Sequence, residues 1–208
     1  WDDRAIFNGG FSGKLDIGSH ANFTGDQLTV SIWFMLDDVT GNQVIWECGG
    51  QTTTGLNIYT EGNTLKAGAY NESSGWGGTW RDATISANQW YHVAVVIDAS
   101  ANPNTPTTNQ FFAYLNGVEM NGDSTGMQIG SVGNVYLGYQ SDGFRPSSVD
   151  PDGMRGYVDD FAIWTRALSA SEITVLGVTP SNTPPSFNSD PFSAFEAYES
   201  DDPEEPLL

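Results

Sequence analysis

The stretch Leu28–Leu36 reads "LTVSIWFML". Leu28, Val30, Ile32, Phe34 and Leu36 alternate with Thr29, Ser31, Trp33 and Met35, a period of two that belongs to a β-strand. Gln89–Asp98, "QWYHVAVVID", repeats the pattern with Tyr91, Val93, Val95 and Ile97 on one face and Trp90, His92, Ala94 and Val96 on the other. Such strands are apolar on both faces, which fits a sandwich whose second surface is partly covered. Phe111–Met120, "FFAYLNGVEM", reads as strand, Asn116-Gly117 turn, strand, the strongest short hairpin signal. "SVGNVYLGY" and "GYVDDFAIWT" add two strands, and "KLDIG", "QVIWECG", "GLNIYTEG" and "TLKAGAY" are shorter candidates. About ten to twelve strands joined by Gly- and Asn-rich turns predict an all-β fold, an antiparallel double-sheet jelly roll.

One short helix is expected near the C-terminal end of this domain. In "RALSASEITVLG", Ser169 is placed as N-cap with Glu172 three residues on, a capping box. Leu168 and Ile173 flank it as a hydrophobic staple, and Gly177 stops it. Beyond Gly177 the character changes to "VTPSNTPPSFNSDPF" and the acidic "EAYESDDPEEP". The expected division is therefore a folded domain over 1–176 and a Pro-rich acidic segment over 177–208. That segment reads as a flexible linker or as the start of a following module, since it resembles the openings of cadherin-like and bacterial immunoglobulin-like repeats.

Composition narrows the function classes. Among 208 residues, 26 acids face 7 Lys and Arg, a net charge of -19. That charge repels phosphate backbones, so no nucleic acid is expected as partner. It also favours divalent cations. The single cysteine, Cys48, precludes an internal disulfide and reads as a buried apolar filler. No apolar run reaches the roughly 20 residues of a membrane helix, so no membrane insertion is expected. The sequence opens at Trp1 without a basic, hydrophobic stretch, so any signal peptide is expected to be absent already, and the low Lys content with 12% aromatics points to a secreted or cell-surface chain.

In order along the chain, "AIFNGGFSGKLDIG", "LTVSIWFMLDD", "SANQWYHVAVVID", "FFAYLNGVEM", "NVYLGY" and "GYVDDFAIWTRALSASEI" resemble bacterial laminin-G-like, concanavalin A-like jelly rolls over residues 4–176. The resemblance implies two antiparallel sheets, one concave, in a family with glycan-binding modules, adhesive domains, glycosidases and lyases. Fold therefore does not settle function. The glucanase relatives show Glu-x-Asp-x-x-Glu on a central strand, which this chain lacks. Glu47 stands alone with Ile45 and Gly49 at the same-face positions, and adjacent Asp159 and Asp160 alternate to opposite faces. Tyr91 and His92 likewise point apart, against a lyase pair. No nucleophile-elbow pattern appears, and two histidines with one cysteine make a poor zinc set. The domain is not expected to be an enzyme.

The resemblance further implies a structural calcium ion, with Asp159 on the family's final-strand position and Asn8 where the family's Phe-Asp-Gly turn usually has Asp. The competing role for Asp159 is capping backbone amides or pairing with Arg4. Asp150 and Asp152 before Gly153 echo an oxygen-rich loop without the full EF-hand spacing, and read as an acidic turn.

The stretch Asn71–Asp82, "NESSGWGGTWRD", has turn chemistry and reads as a loop holding two indoles. Exposed aromatic rings match the apolar faces of sugar rings, and Arg81 offers a bidentate fork for an anionic group. Trp76, Trp80 and Arg81 are thus the expected ligand-binding set at the concave rim, extended by Tyr70, Tyr139 and Arg145. Tyr59 joins them if its strand parity allows. The expected function is a non-catalytic carbohydrate-binding module of a secreted, multidomain bacterial protein, binding polysaccharide, an anionic one included, beside neighbouring domains. The alternatives are an adhesive or spacer module that binds protein, and a glycosidase or lyase with an unfamiliar site.

Overall fold

A computed structural model describes residues 5–8, 15–19, 27–49, 55–69, 79–98, 111–124, 134–139 and 152–177. Within them lie fourteen strands and one helix. They are β1 (Ala5–Asn8), β2 (Leu15–Ser19), β3 (Gln27–Leu36), β4 (Asn42–Gly49), β5 (Gly55–Glu61), β6 (Thr64–Ala69) and β7 (Thr79–Thr84). There follow β8 (Trp90–Asp98), β9 (Phe111–Leu115), β10 (Val118–Glu119), β11 (Asn121–Ser124), β12 (Asn134–Leu137), β13 (Asp152–Gly153), β14 (Arg155–Trp164) and α1 (Ala170–Gly177). The expected segment over 177–208 falls, past Gly177, outside the described residues.

The strands form two sheets. One runs β1-β14-β3-β8-β9-β10; the other runs β11-β7-β6-β5-β4-β12-β2, with β13 added parallel to β4. Every other pairing is antiparallel. The alternation decides what lies between them. Val30, Ile32 and Phe34 of β3 and Val93, Val95 and Ile97 of β8 meet Trp46, Ile58 and Leu65 from the other sheet, all essentially without exposure. Each such side chain contributes roughly 1.5–3 kcal/mol by leaving water. Inside this layer Phe34 and Tyr91 stack with centroids 5.8 Å apart, so Tyr91 does point away from His92.

The outward face of the six-stranded sheet is also covered, by α1. Leu168 and Ile173, the staple pair, pack with Ala94, Val96 and Tyr114. The capping box forms: Ser169 N–H donates to Glu172 Oε2 at 2.8 Å and Glu172 N–H to Ser169 Oγ at 3.3 Å. Thr29 anchors the approach to the helix, donating to the Arg166 carbonyl and accepting from Leu168 N–H. The Asn116-Gly117 turn has φ of 50° and 76°, the two left-handed values a type I′ hairpin requires.

Two bulges depart from simple alternation. Register shifts between Val44 and Trp46, which turns Ile45 into the core beside Trp46. Glu47 therefore does not share a face with Ile45 as alternation alone predicts. In β14 the register shifts between Asp159 and Ala162, opposite Trp33 and Ser31, and Asp160 takes φ 44°. The bulge overrides alternation there too. Asp159 lies across from outward-facing Trp33, and Asp160 lines a pocket with the same Trp33.

Candidate functional site

The outward face of the eight-stranded sheet carries the clearest polar and aromatic convergence. Cross-strand register aligns Tyr136 with Glu47, Glu47 with Asn57, Asn57 with Gly68, and Gly68 with Trp80. Their neighbours Val135, Cys48, Ile58, Ala67 and Leu137 belong to the core, so the row points away from it. Five strands thus contribute one residue each to a band across the sheet. The next row along is Val44, Tyr59, Lys66 and Asp82.

Gly68 explains how Trp80 sits. A Cβ at that position would lie 2.1 Å from the Trp80 ring, so only glycine lets the indole fold down over the neighbouring strand. Tyr59 meets the half-buried Trp80 edge-on, with centroids 5.5 Å apart, an arrangement aromatic quadrupoles favour. Tyr59 O–H donates to Glu61 Oε1 at 3.1 Å, and Lys66 Nζ pairs with Glu61 at 2.7 Å. Burial first, then the nearby Glu61 charge, holds the Tyr59 phenol well above its usual range, so it remains a neutral donor.

The polar members of the row are enclosed. Glu47 is 2% exposed, Tyr136 7% and Asn57 0%. Both amide atoms of Asn57 are buried without a hydrogen-bond partner. An unpaired buried group costs about 1–3 kcal/mol, and native proteins rarely keep one without a reason. Chemically the band offers an indole platform, a neutral phenol, an unused amide donor and acceptor, and a carboxylate.

The expected site residues fall in different places. Trp80 lies in β7 rather than in a loop and is on this face. Arg81, its strand neighbour, necessarily turns the other way. It is 8% exposed and donates to the carbonyls of Phe111, Met120 and Gly122 at 3.2, 3.4 and 3.3 Å, with Glu119 at 3.5 Å. Its guanidinium ties the sheet edge to β9 and does not meet Trp80's surface. Tyr139 is buried just past β12. Trp76, Tyr70 and Arg145 lie outside the described residues, as does Asp150.

The two expected calcium positions lie on the neighbouring strands β1 and β14. Asn8 pairs with Arg155 on β14, four residues from Asp159, a separation of about 13 Å along a strand. Asp159 Oδ1 accepts the Asp160 N–H at 2.7 Å, a backbone-capping role. Among the described residues no three of His, Cys, Asp and Glu converge on a common point. No chemistry is routed through a metal at Asn8 and Asp159.

A serine–histidine contact does exist, on the opposite sheet: Ser31 Oγ and His92 Nε2 stand 2.7 Å apart. His92 Nδ1, which a catalytic acid would have to orient, is instead buried without a partner, facing the Gly177 backbone. Burial pushes the imidazole down to about 4. The pair is a packed polar contact of this face, without a triad's third member among the described residues.

Sequence reasoning missed Asn57, Tyr136 and the grouping of both with Glu47. Each sits on its own strand, and only the pairing order puts them in one line.

Comparison with known proteins follows this geometry. A sequence search of curated proteins gives no match. Many solved structures resemble the fold, among them the following three. The CBM40 of the IT-sialidase from Ruminococcus gnavus, bound to α2,3 sialyllactose, aligns at TM-score 0.63 and 15% identity over 85% of this chain and 97% of that one. Domain 4 of AbnA, a GH43 extracellular arabinanase from Geobacillus stearothermophilus in complex with arabinotriose, aligns at 0.58 and 19%, over 84% and 76%. A heptameric SAP-like pentraxin from Limulus polyphemus aligns at 0.58 and 18%, over 86% and 84%. At these identities the likeness is one of fold. No helix among the described residues is long and apolar enough to cross a membrane. The profile of the Laminin_G_3 family matches residues 8–174, and the chain therefore belongs to that family of the concanavalin A-like lectin/glucanases superfamily.

Proposed function

We propose that this domain is a non-catalytic carbohydrate-binding module that takes a neutral glycan on the outward face of its eight-stranded sheet. The observation that carries the reading is the row Tyr136, Glu47, Asn57, Gly68 and Trp80. In it an indole lies over a glycine beside an amide with no partner of its own. A sugar ring offers a C–H face to Trp80 and hydroxyls to Asn57. Two similar structures have sugars in their complexes, which supports the class of ligand.

Neutrality follows from the charges. Among the described residues the cation of this face is Lys66, and it is engaged by Glu61. Arg81 is committed to carbonyls elsewhere, and the chain carries -19 overall. A glycan carboxylate or sulfate would find acids rather than a bidentate partner. By register Glu47 stands two strands from Asp16, both opposite Tyr136, with about 9.6 Å between their backbones. Glu61 is about 13 Å and Asp82 about 16 Å away. The non-catalytic reading rests not on these separations but on the missing Glu-x-Asp-x-x-Glu pattern. A secreted, multidomain setting for such a module is part of the same proposal.

The test is calorimetric titration with neutral, uronic and sulfated oligosaccharides. Selective binding of a neutral glycan, weakened about 10- to 30-fold by Trp80→Ala as for an aromatic hot spot, is the expected result. No binding by a folded domain would favour the protein-binding or spacer alternative, and new reducing ends would show an enzyme.

A further inference from the structure

A pocket lies on the other sheet and is independent of the proposed glycan-binding face. It has a volume of about 270 Å³ and is walled by Trp33, Trp164 and Phe161, with Ser31, His92 and Asp160 also lining it. Its existence traces to the β14 bulge, which inserts Asp160 and Phe161 between two positions opposite β3. Asp160 is held there at φ 44°, a left-handed value that non-glycine residues adopt at a cost and that recurs at functional sites.

The lining chemistry selects the ligand. Ser31 and His92 hydrogen-bond each other, so they offer little to a ligand rich in hydroxyls. Trp33 tilts against the His92 ring with centroids 5.4 Å apart, which fixes its indole as a wall. What remains is a half-open recess between Trp33 and Trp164, floored by Ala162 and Leu176, with the exposed Asp160 carboxylate among its lining residues. Phe161 also packs toward the core. Aromatic faces attract cations through the ring quadrupole, most strongly when desolvated, and quaternary ammonium groups are the characteristic guests. The volume is just under the roughly 300–1,000 Å³ of sites for drug-sized ligands, so a single compact head group fills it. The acidic excess of the chain raises the local concentration of cations.

We propose that this pocket binds a small organic cation of the methylated-ammonium class, held between Trp33 and Trp164 with Asp160 as counter-charge. His92 suits this role because burial keeps it uncharged. With no acid on its Nδ1, the Ser31–His92 pair makes the pocket a binding site and not a hydrolytic one.

Choline chloride, followed by tryptophan fluorescence and by calorimetry, is the probe, with 3,3-dimethyl-1-butanol as its uncharged isostere. Saturable choline binding is expected, at least 10-fold tighter than that of the isostere. Asp160→Asn, at an exposed position, should weaken it about 10-fold, and Trp164→Leu should weaken it further. Circular dichroism checks that both variants are folded. Equal affinity for choline and the isostere, or an Asp160→Asn variant that binds choline as the wild type does, overturns the assignment. So does the absence of saturation up to about 100 mM, well beyond the affinity of even weak sites.

Discussion

The two sheets of this domain use the same alternation of inward apolar residues and finish their outward faces in opposite ways. On the six-stranded sheet, Ala94, Val96 and Tyr114 face outward and are sealed by Leu168 and Ile173 of α1 and its approach. Its polar members are bonded only in part: Ser31 bonds His92 and Thr29 bonds both Arg166 and Leu168, while His92 Nδ1 is buried without a partner. On the eight-stranded sheet the outward row mixes Tyr136, Glu47, Asn57 and Trp80 over a glycine, and an amide is left unsatisfied. Each face thus keeps a buried polar group without a partner, His92 Nδ1 on one and the Asn57 amide on the other. In the function proposed above, the amide beside the indole is the one kept for a ligand.

The largest expected effects test which residues hold the sandwich rather than the ligand. Arg81→Met removes three carbonyl partners at a buried position and should cost about 3 kcal/mol of stability, since bonds to charged donors are each worth roughly 1.5–3 kcal/mol when well formed. Glycan affinity of the folded fraction should be unchanged. A selective loss of anionic-glycan binding in that variant, with stability intact, would restore Arg81 to the site.

Acid should act through the covered face. His92 is pushed from 6.5 to about 4 by burial, so the unfolded chain takes up its proton first as pH falls. Its contribution is complete above pH 6.5, is lost between 6.5 and 4, and is constant below that. The loss amounts to about 3 kcal/mol at 1.36 kcal/mol per pKa unit. Urea unfolding at pH 7 and pH 4 should show it, and His92→Gln should flatten that part of the profile. An unchanged profile would mean that His92 is not enclosed as described.

Smaller effects sharpen the outward face of the eight-stranded sheet. Gly68→Ala forces its methyl into the Trp80 ring and should cost about 2 kcal/mol, within the range of overpacking, while also weakening glycan binding. Smallest is Asn57→Leu, a near-isosteric change that removes the unpaired amide. It should raise stability by about 1 kcal/mol in the same unfolding assay and lower glycan affinity. Both changes moving together in the same direction would contradict a functional reason for the orphaned group.

Much of the fold was legible because its signals are local. The alternation of Leu28–Leu36, the Asn116-Gly117 turn and the Ser169–Glu172 capping box each declare themselves within a dozen residues, and each appears in the structure. The site was legible only at Trp80, an indole in a stretch too polar for core. Treating Trp80 and Arg81 as one loop joined two residues that a strand sends to opposite sides. The bulges at Ile45 and at Asp160 were hidden because an inserted residue shows only against its partner strand. The row from Tyr136 to Trp80 was hidden for the same reason: five strands distant in sequence become neighbours only through sheet order.

The most direct test is two-dimensional NMR of the seven tryptophan indole N–H groups during titration with a neutral oligosaccharide, assigned by single Trp→Phe variants. The Trp80 signal should shift in a saturable way while those of Trp33 and Trp164, on the other sheet, stay fixed. A glycan that moves Trp33 or Trp164 and leaves Trp80 unperturbed would place sugar binding on the helix-covered face and contradict the account.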